Sequence, residues 1–163
     1  TAGSRRAVVA IDAASGELLW MHRENEGERA AASPRRLSGR GLAYWSDGSS
    51  KRLLYATNDA YLISIDPDTG AILRTIQSNR FVTGVTWVDG ELWHGTWEGD
   101  ASELRHIDPR TGDVLEQIEM PPGVGVSGLE SDGGDQFFCG GGTSGKIRAV
   151  RRPKKASAKA AAE

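Results

Sequence analysis

Short runs in which apolar and polar residues alternate recur along most of the chain. The stretch 61–65 is one such run, and the segments 82–87 and 91–95 flank a further turn sequence at 89–90. Alternation every second residue is typical of half-buried β-strands. The chain also contains 21 glycines and five tryptophans, a composition that favours short strands joined by tight turns over helices.

One turn motif occurs three times, with the pattern Ile-Asp-x-x-Ser/Thr-Gly followed by apolar residues. Its aspartates are Asp12, Asp66 and Asp108, which lie 54 and 42 residues apart. Asp and Ser/Thr side chains accept bonds from nearby backbone amides, and Gly takes the left-handed conformation that closes a turn. Each copy therefore predicts a tight hairpin between two strands.

The spacing of the turns predicts a repeat of β-propeller blades. A second pair of similar positions, Thr83 and Ser127, lies 44 residues apart, and repeats of this length are typical of blades with four strands. The predicted layout has two outer strands (about 6–23), a connector, and two blades (about 41–77 and 81–119). The inner strands of a further blade follow at about 126–151.

The predicted fold class is thus all-β, with propeller repeats of four-stranded antiparallel blades that are incomplete, at about three blades, in a single chain. Closed propellers typically have at least four blades. The chain is therefore expected to be a fragment, or to associate with further copies that close the ring, or to stack its open sheets in another way. The fragment is the favoured interpretation. The predicted domains are a partial propeller over 1–152 and a disordered basic tail over 153–163.

Charge is unevenly distributed, although the net charge is only −2. From residue 146 onward there are seven basic residues and one acid. Such a tail could attract anionic partners, but no aromatic residue is interleaved for base stacking, so a solubilising tail without nucleic-acid binding is expected. No run approaches the roughly 20 apolar residues of a membrane helix, and no signal peptide is visible.

Cys139 is the single cysteine of the chain. One cysteine excludes an internal disulfide and a cysteine-based zinc cluster. Its apolar and glycine neighbours predict a buried strand residue rather than a nucleophile. No spacing of His, Asp and Glu matches a metal site, so no metal ligand is predicted.

Residues 1–75 resemble the pyrroloquinoline-quinone (PQQ)-dependent alcohol and glucose dehydrogenases, which are quinoproteins. The resemblance rests on 8–20, which follow the family's Ala-Leu-Asp-x-x-Thr-Gly-x-x-x-Trp type of blade signature, on 34–45 and on 52–57. It implies an oxidoreductase-like propeller, PQQ and calcium as possible cofactors, and a periplasmic or secreted location. These enzymes commonly stack the quinone between a Trp and a vicinal disulfide, which one cysteine cannot form, so a module lacking a complete catalytic set is expected.

Residues 81–152 resemble a different group, the glutamine-cyclotransferase-like and streptogramin-lyase-like propellers. The segments that carry this resemblance are 82–87, 91–97 and 107–112, of which the last contains the Asp-Pro-x-Thr-Gly turn. The resemblance implies lyase or cyclotransferase chemistry as an alternative to quinone chemistry.

Four arginines lie close together in the connector, at Arg29, Arg35, Arg36 and Arg40. Guanidinium groups suit carboxylates, and PQQ carries three. Arg36 and Arg40, together with Trp45 in the family-like stretch, are therefore the candidate cofactor-binding residues. The alternative is an exposed, solvated loop.

A second candidate group combines three tryptophans, Trp87, Trp93 and Trp97, with His94 and Glu98. In a strand, Trp93 and Trp97 share one face while His94 lies on the other, and such tryptophans usually pack between blades. His94 and Glu98 approach the strand end and are the candidate catalytic acid–base pair.

Three functions remain open. The first is a quinone-cofactor propeller module, the second a non-catalytic module that binds a small molecule or a protein at its loop face, and the third a lyase-like or cyclotransferase-like enzyme. If the chain is an enzyme, a quinoprotein oxidoreductase is favoured. The fold alone cannot choose, because propellers support many functions.

Overall fold

The computed structural model describes residues 7–25, 27–32 and 41–154. These residues form thirteen strands and one short helix, α1, in the connector. The bounds are Val8–Ile11 (β1), Leu18–His22 (β2), Gly27–Ala31 (α1), Leu42–Ser46 (β3), Lys51–Ala56 (β4), Tyr61–Ile65 (β5), Ile72–Gln77 (β6), Val82–Val88 (β7), Glu91–Glu98 (β8), Ala101–Ile107 (β9), Val114–Glu119 (β10), Gly128–Ser131 (β11), Gln136–Gly140 (β12) and Ile147–Arg151 (β13).

The strands form four separate antiparallel sheets in chain order. Sheet 1 contains β1 and β2, sheet 2 contains β3 to β6, sheet 3 contains β7 to β10, and sheet 4 contains β11 to β13. The predicted all-β fold of incomplete propeller blades is confirmed, including the two outer strands, two full blades and inner strands of a further blade. Residues 155–163, most of the predicted tail, lie outside the described residues, and the domain boundary stays a prediction.

The three repeated turns have one hydrogen-bond pattern. In the second turn, Asp66 Oδ1 accepts the backbone N–H groups of Asp68 at 2.8 Å and Thr69 at 3.0 Å. The backbone of Gly70 donates to Asp66 O at 2.8 Å, with Gly70 at φ 73°. The same bonds recur around Asp12 and Asp108. They stabilise the ionised side chain, so the pKa of each aspartate is lowered.

The core lies between sheets, and sheets 2 and 3 each contribute apolar side chains to two clusters. One cluster joins sheets 2 and 3 and contains Leu54, Leu62, Ile76, Val85, Leu92 and Ile107. Another joins sheets 3 and 4 around Trp93, which is fully buried with its ring centroid 4.9 Å from that of Phe137. The prediction that Trp93 packs between blades is confirmed. Cys139 is buried in the same cluster, as predicted, and burial raises the pKa of its thiol.

Sheet 1 docks on sheet 2 through Trp20. The indole Nε1–H donates to Pro67 O at 3.0 Å. A Cβ added to Gly70 would lie 2.7 Å from the indole, so the ring needs a glycine beneath it. The tryptophan of the first turn motif therefore covers the turn of the following blade.

The first strands of sheets 2, 3 and 4 lie side by side, since β7 contacts both β3 and β11. At Gly84 the β7 backbone approaches β11 so closely that an added Cβ would lie 2.3 Å from Leu129 N. The register of β7 against β8 shifts at this point, between Val82 and Val85. Glycine within a strand commonly marks such a bulge or close backbone approach.

We expect Gly84→Ala to destabilise the fold by about 1–3 kcal/mol, the usual cost of overpacking, because the neighbouring backbone must move to admit the methyl group. The free energy of unfolding is measured by urea titration of the full chain. Gly128→Ala is the matched control, because a Cβ at Gly128 meets no atom within 4 Å. An equal effect of the two substitutions would contradict the close-approach explanation.

The three turn aspartates predict a loss of stability in acid. Their folded-state pKa values lie below the ordinary 3.8. The three carboxylates therefore contribute fully to the free energy of unfolding above pH 3.8, and this contribution decreases as the pH falls through the lowered pKa values. The triple variant Asp12→Asn, Asp66→Asn, Asp108→Asn keeps the accepting oxygens without the charge. We expect its free energy of unfolding to fall less steeply than that of the wild type below pH 3.8.

The control is the single variant Asp100→Asn, at an exposed aspartate outside the three motifs. Below pH 3.8 its free energy of unfolding should fall with pH as steeply as that of the wild type. An unchanged slope in the triple variant would show that the turn carboxylates do not determine acid stability.

Candidate functional site

The predicted cofactor-binding residues fall partly outside the described structure. Arg36 and Arg40 lie in 33–40, which is not described, so their contribution stays a prediction. Trp45 lies near the end of β3, half-buried between sheets 2 and 3. Its ring meets that of Trp87 edge-on, with centroids 5.7 Å apart and an interplanar angle of 69°.

Arg52 completes the surroundings of Trp45. The two residues are partners across β3 and β4, and the guanidinium carbon lies 5.5 Å from the indole centroid. An arginine that rests its face on an aromatic ring keeps its N–H edge available for carboxylates. Arg52 was not among the sequence candidates, and the signal for it was its place in the family-like stretch 52–57.

His94 lies in the middle of β8, on the face that packs towards sheet 2, opposite to Trp93. Its side chain is buried, with 1% of the residue exposed. Nδ1 lies 3.2 Å from Gly95 O, and a carbonyl only accepts, so Nδ1 carries the proton and Nε2 is an acceptor. Burial lowers the pKa of His94 to about 4, so the imidazole is neutral at physiological pH.

Glu98 is at the end of the same strand, β8. Four residues along a strand correspond to roughly 13 Å, whereas direct proton transfer needs heavy atoms about 3 Å apart. The two side chains therefore do not form a direct pair, and any acid–base cooperation would require a substrate between them. Their catalytic role stays a prediction.

A cleft of about 240 Å³ opens beside His94, between sheets 2 and 3. Arg105, the partner of His94 on β9, lines the same cleft. Its Nε–H donates to Glu103 Oε2 at 2.6 Å, and Nη1 donates to Asn79 Oδ1 at 2.7 Å. Arg80 Nη1 bonds the other oxygen of Glu103 at 2.5 Å.

Sequence patterns did not reveal this Arg80–Glu103–Arg105 network. The three residues are separated along the chain, and ordinary polar positions of strands look the same. Only the cross-strand register brings Arg105 beside His94 and the β6–β7 connection beside both.

Among the described residues, the Trp45–Arg52 pair has groups that suit PQQ. Trp45 and Arg52 offer an aromatic face and a guanidinium to an aromatic polycarboxylate. Among residues 7–25, 27–32 and 41–154, no three His, Cys, Asp or Glu side chains converge as a metal-binding group, so this part of the chain supplies no calcium ligand set by itself. Within the same residues, no helix is both long and apolar enough to cross a membrane.

Solved propeller structures resemble the fold. The quinohemoprotein alcohol dehydrogenase ADHIIG from Pseudomonas putida HK5 matches with a TM-score of 0.65 at 19% identity, over 82% of this chain and 25% of that enzyme. BamB from Moraxella catarrhalis matches with a TM-score of 0.53 at 18% identity, over 83% of this chain and 37% of that protein. The Pan2 WD40 domain from Neurospora crassa matches with a TM-score of 0.60 at 17% identity, over 91% of this chain and 41% of that domain.

At these identities the structural matches show the fold alone. The chain spans about a quarter of the length of the quinohemoprotein dehydrogenase. No curated protein matches the sequence.

The sequence itself matches a family over residues 1–83, about half of the chain. The family is PQQ, described as the β-propeller domain of glucose/ethanol/alcohol dehydrogenases. The match contains the first two turn motifs, Trp20 and its contact with Gly70, and the Trp45–Arg52 pair. This chain belongs to the PQQ β-propeller family.

Proposed function

We propose that the chain is a propeller module of a quinoprotein oxidoreductase and contributes part of the wall of a PQQ-binding funnel. The observation that carries the proposal is the Trp45–Arg52 pair, which lies inside the family match at the first two strands of a blade. In a closed propeller the first strand of each blade surrounds the central channel, where a cofactor is reached from several blades.

Trp45 and Arg52 have separate roles in this proposal. The indole would contact the cofactor, and the guanidinium would bind one of its carboxylates through a charge-assisted hydrogen bond. Arg36 and Arg40, which precede β3, supply further positive charge for the remaining carboxylates. When bound, PQQ supplies the electron-accepting chemistry, and this chain's residues hold and orient it.

The remaining components of the site come from other blades. A calcium-binding carboxylate set and a vicinal cysteine pair are features that the resemblance implies for the whole enzyme, and the described residues do not bring them together. The module therefore acts with further propeller blades, either within a longer polypeptide or in associated copies. A periplasmic or secreted location follows from the same resemblance.

A non-catalytic module is the second candidate function. The observation in its favour is the single buried cysteine together with propeller neighbours such as BamB and the Pan2 WD40 domain. In that function the loop face binds a protein or small molecule without electron transfer. Titration with PQQ distinguishes the two candidates.

In that titration we expect saturable binding of PQQ in the presence of calcium, measured by calorimetry and by quenching of tryptophan fluorescence. Arg52→Ala should weaken the affinity by about 10- to 150-fold, because a charge-assisted hydrogen bond is worth about 1.5–3 kcal/mol. Arg40→Ala should also weaken the affinity for PQQ if the connector arginines bind carboxylates.

Arg110→Ala is the matched control for these arginine substitutions. Its side chain is 88% exposed on the outer turn of sheet 3, so the PQQ affinity should stay at the wild-type value. No saturation at high micromolar PQQ would favour the non-catalytic module. Binding that neither Arg52→Ala nor Arg40→Ala weakens would remove both residues from the site.

The lyase or cyclotransferase alternative makes a different prediction. If His94 is its catalytic residue, His94→Ala abolishes elimination or cyclisation turnover of the wild-type chain, whereas Glu98→Gln reduces it. The reaction is followed by mass spectrometry of lactone or N-terminal glutaminyl substrates. Turnover that survives in His94→Ala would dismiss this alternative.

A further inference from the structure

The cleft between sheets 2 and 3 has a polar end and an apolar wall. Its volume is about 240 Å³, on the order of eight water molecules in the liquid. The apolar wall comes from strands of both sheets, and the polar end comes from β8, β9 and the β6–β7 connection. The apolar residues that line it are Leu62, Ile76, Val82 and Ile107.

His94 and Arg105 define the polar end. They are directly opposite on β8 and β9, so their side chains leave the same face of the sheet with Cβ atoms about 5 Å apart. Both residues are at least nine-tenths buried, at 1% and 7% exposure. A single small molecule in the cleft can therefore reach both groups.

The guanidinium of Arg105 is held in place by hydrogen bonds that use only some of its N–H groups. Its hydrogen bonds to Glu103 and Asn79 use two of the five N–H groups of a guanidinium. Arg80 binds the same Glu103 carboxylate, so two guanidinium groups share one carboxylate, and the Arg80–Glu103–Arg105 network carries one positive charge. A network of this kind attracts an anion to the polar end of the cleft.

His94 offers the complementary group. With its Nδ1–H on Gly95 O, Nε2 has a lone pair for a donor, and within the described residues no group bonds to Nε2. His94 lines the cleft, so a ligand in the cleft that carries a hydrogen-bond donor can bind Nε2. Neighbouring positions thus present an anion-binding donor and a neutral acceptor.

We propose that the cleft binds a small carboxylic acid that carries a hydrogen-bond donor, a hydroxyl or ammonium group, on the carbon next to the carboxylate. The carboxylate binds the free N–H groups of Arg105, the donor binds His94 Nε2, and a short branched alkyl chain packs on Leu62, Ile76, Val82 and Ile107. The volume of about 240 Å³ admits a molecule of this size and is below the roughly 300–1,000 Å³ that is typical of pockets for larger ligands.

The rim of the cleft distinguishes the two possible donors. Asp113 lies at the rim, exposed to solvent. Its carboxylate would attract an ammonium group and repel a second anion, at a distance where solvent weakens both effects. Leucine and α-hydroxyisocaproate share the carboxylate and alkyl chain, so comparison of the two identifies the donor.

The test is calorimetric titration of the full chain with α-hydroxyisocaproate, leucine and isocaproate, which lacks the donor. We expect saturable binding of one molecule of at least one of the first two, and weaker binding of isocaproate by about tenfold, the value of a lost hydrogen bond to a buried group. His94→Phe should remove this difference, since it keeps an aromatic ring of similar size without the acceptor.

His106→Phe is the control for His94→Phe. It lies next to Arg105 on β9, but its ring stacks on Trp93 on the opposite face of sheet 3, so the affinities should not change.

A second pair of variants needs no change in the core. Val114 lines the cleft at the start of β10 and is 45% exposed, so Val114→Trp should fill the opening and abolish binding.

Ile72→Trp is the matched control for Val114→Trp, because Ile72 occupies the same position after the turn glycine of sheet 2 and is 47% exposed. It should bind the acids as the wild type does. The absence of saturation at millimolar acid, equal affinity for isocaproate, or binding unchanged in Val114→Trp would overturn the proposal.

Discussion

Face-to-face packing of neighbouring sheets is the interaction on which this structure depends. A sheet of two to four strands cannot bury its apolar faces alone, and here each core cluster joins two successive sheets rather than filling one. Trp93 illustrates this, since it is fully buried and packs against Phe137 of the next sheet. The close approach at Gly84 brings the first strands near enough for that packing, and both candidate sites lie in the interface between sheets 2 and 3.

The sequence predicted the fold because the repeat is a local chemical pattern. An Asp that bonds two following amides and a Gly with positive φ specify a hairpin without any distant contact, so Asp12, Asp66 and Asp108 marked the blades correctly. The face of Trp93 was also predictable, because side chains alternate along a strand. The candidate sites were less predictable. The placement of Arg105 beside His94 and of Arg52 over Trp45 depends on cross-strand register, which residue spacing along one strand does not contain.

The two sites meet different physical requirements. Trp45 and Arg52 are half-exposed near the first strands, where a large cofactor held by several blades can be reached, and their positive charge suits a polycarboxylate. His94 and Arg105 are buried beside the smaller cleft, where desolvation strengthens each hydrogen bond. Proximity within one propeller therefore does not require that the two sites share a ligand, and binding at one can be lost without loss of the other.

One position that differs among the three turn motifs relates the family match to the cleft. Trp20 stands four residues after the turn glycine of its motif, and the equivalent positions hold Arg74 and Glu116. Between sheets 1 and 2 the indole covers Gly70, whereas between sheets 2 and 3 Ile76 contacts Gly112 instead. The cleft opens beside this smaller contact, lined by both Ile76 and Gly112. The motif of sheet 2 thus has no tryptophan at this position, and at the interface between sheets 2 and 3 His94 and Arg105 face a ligand-sized space.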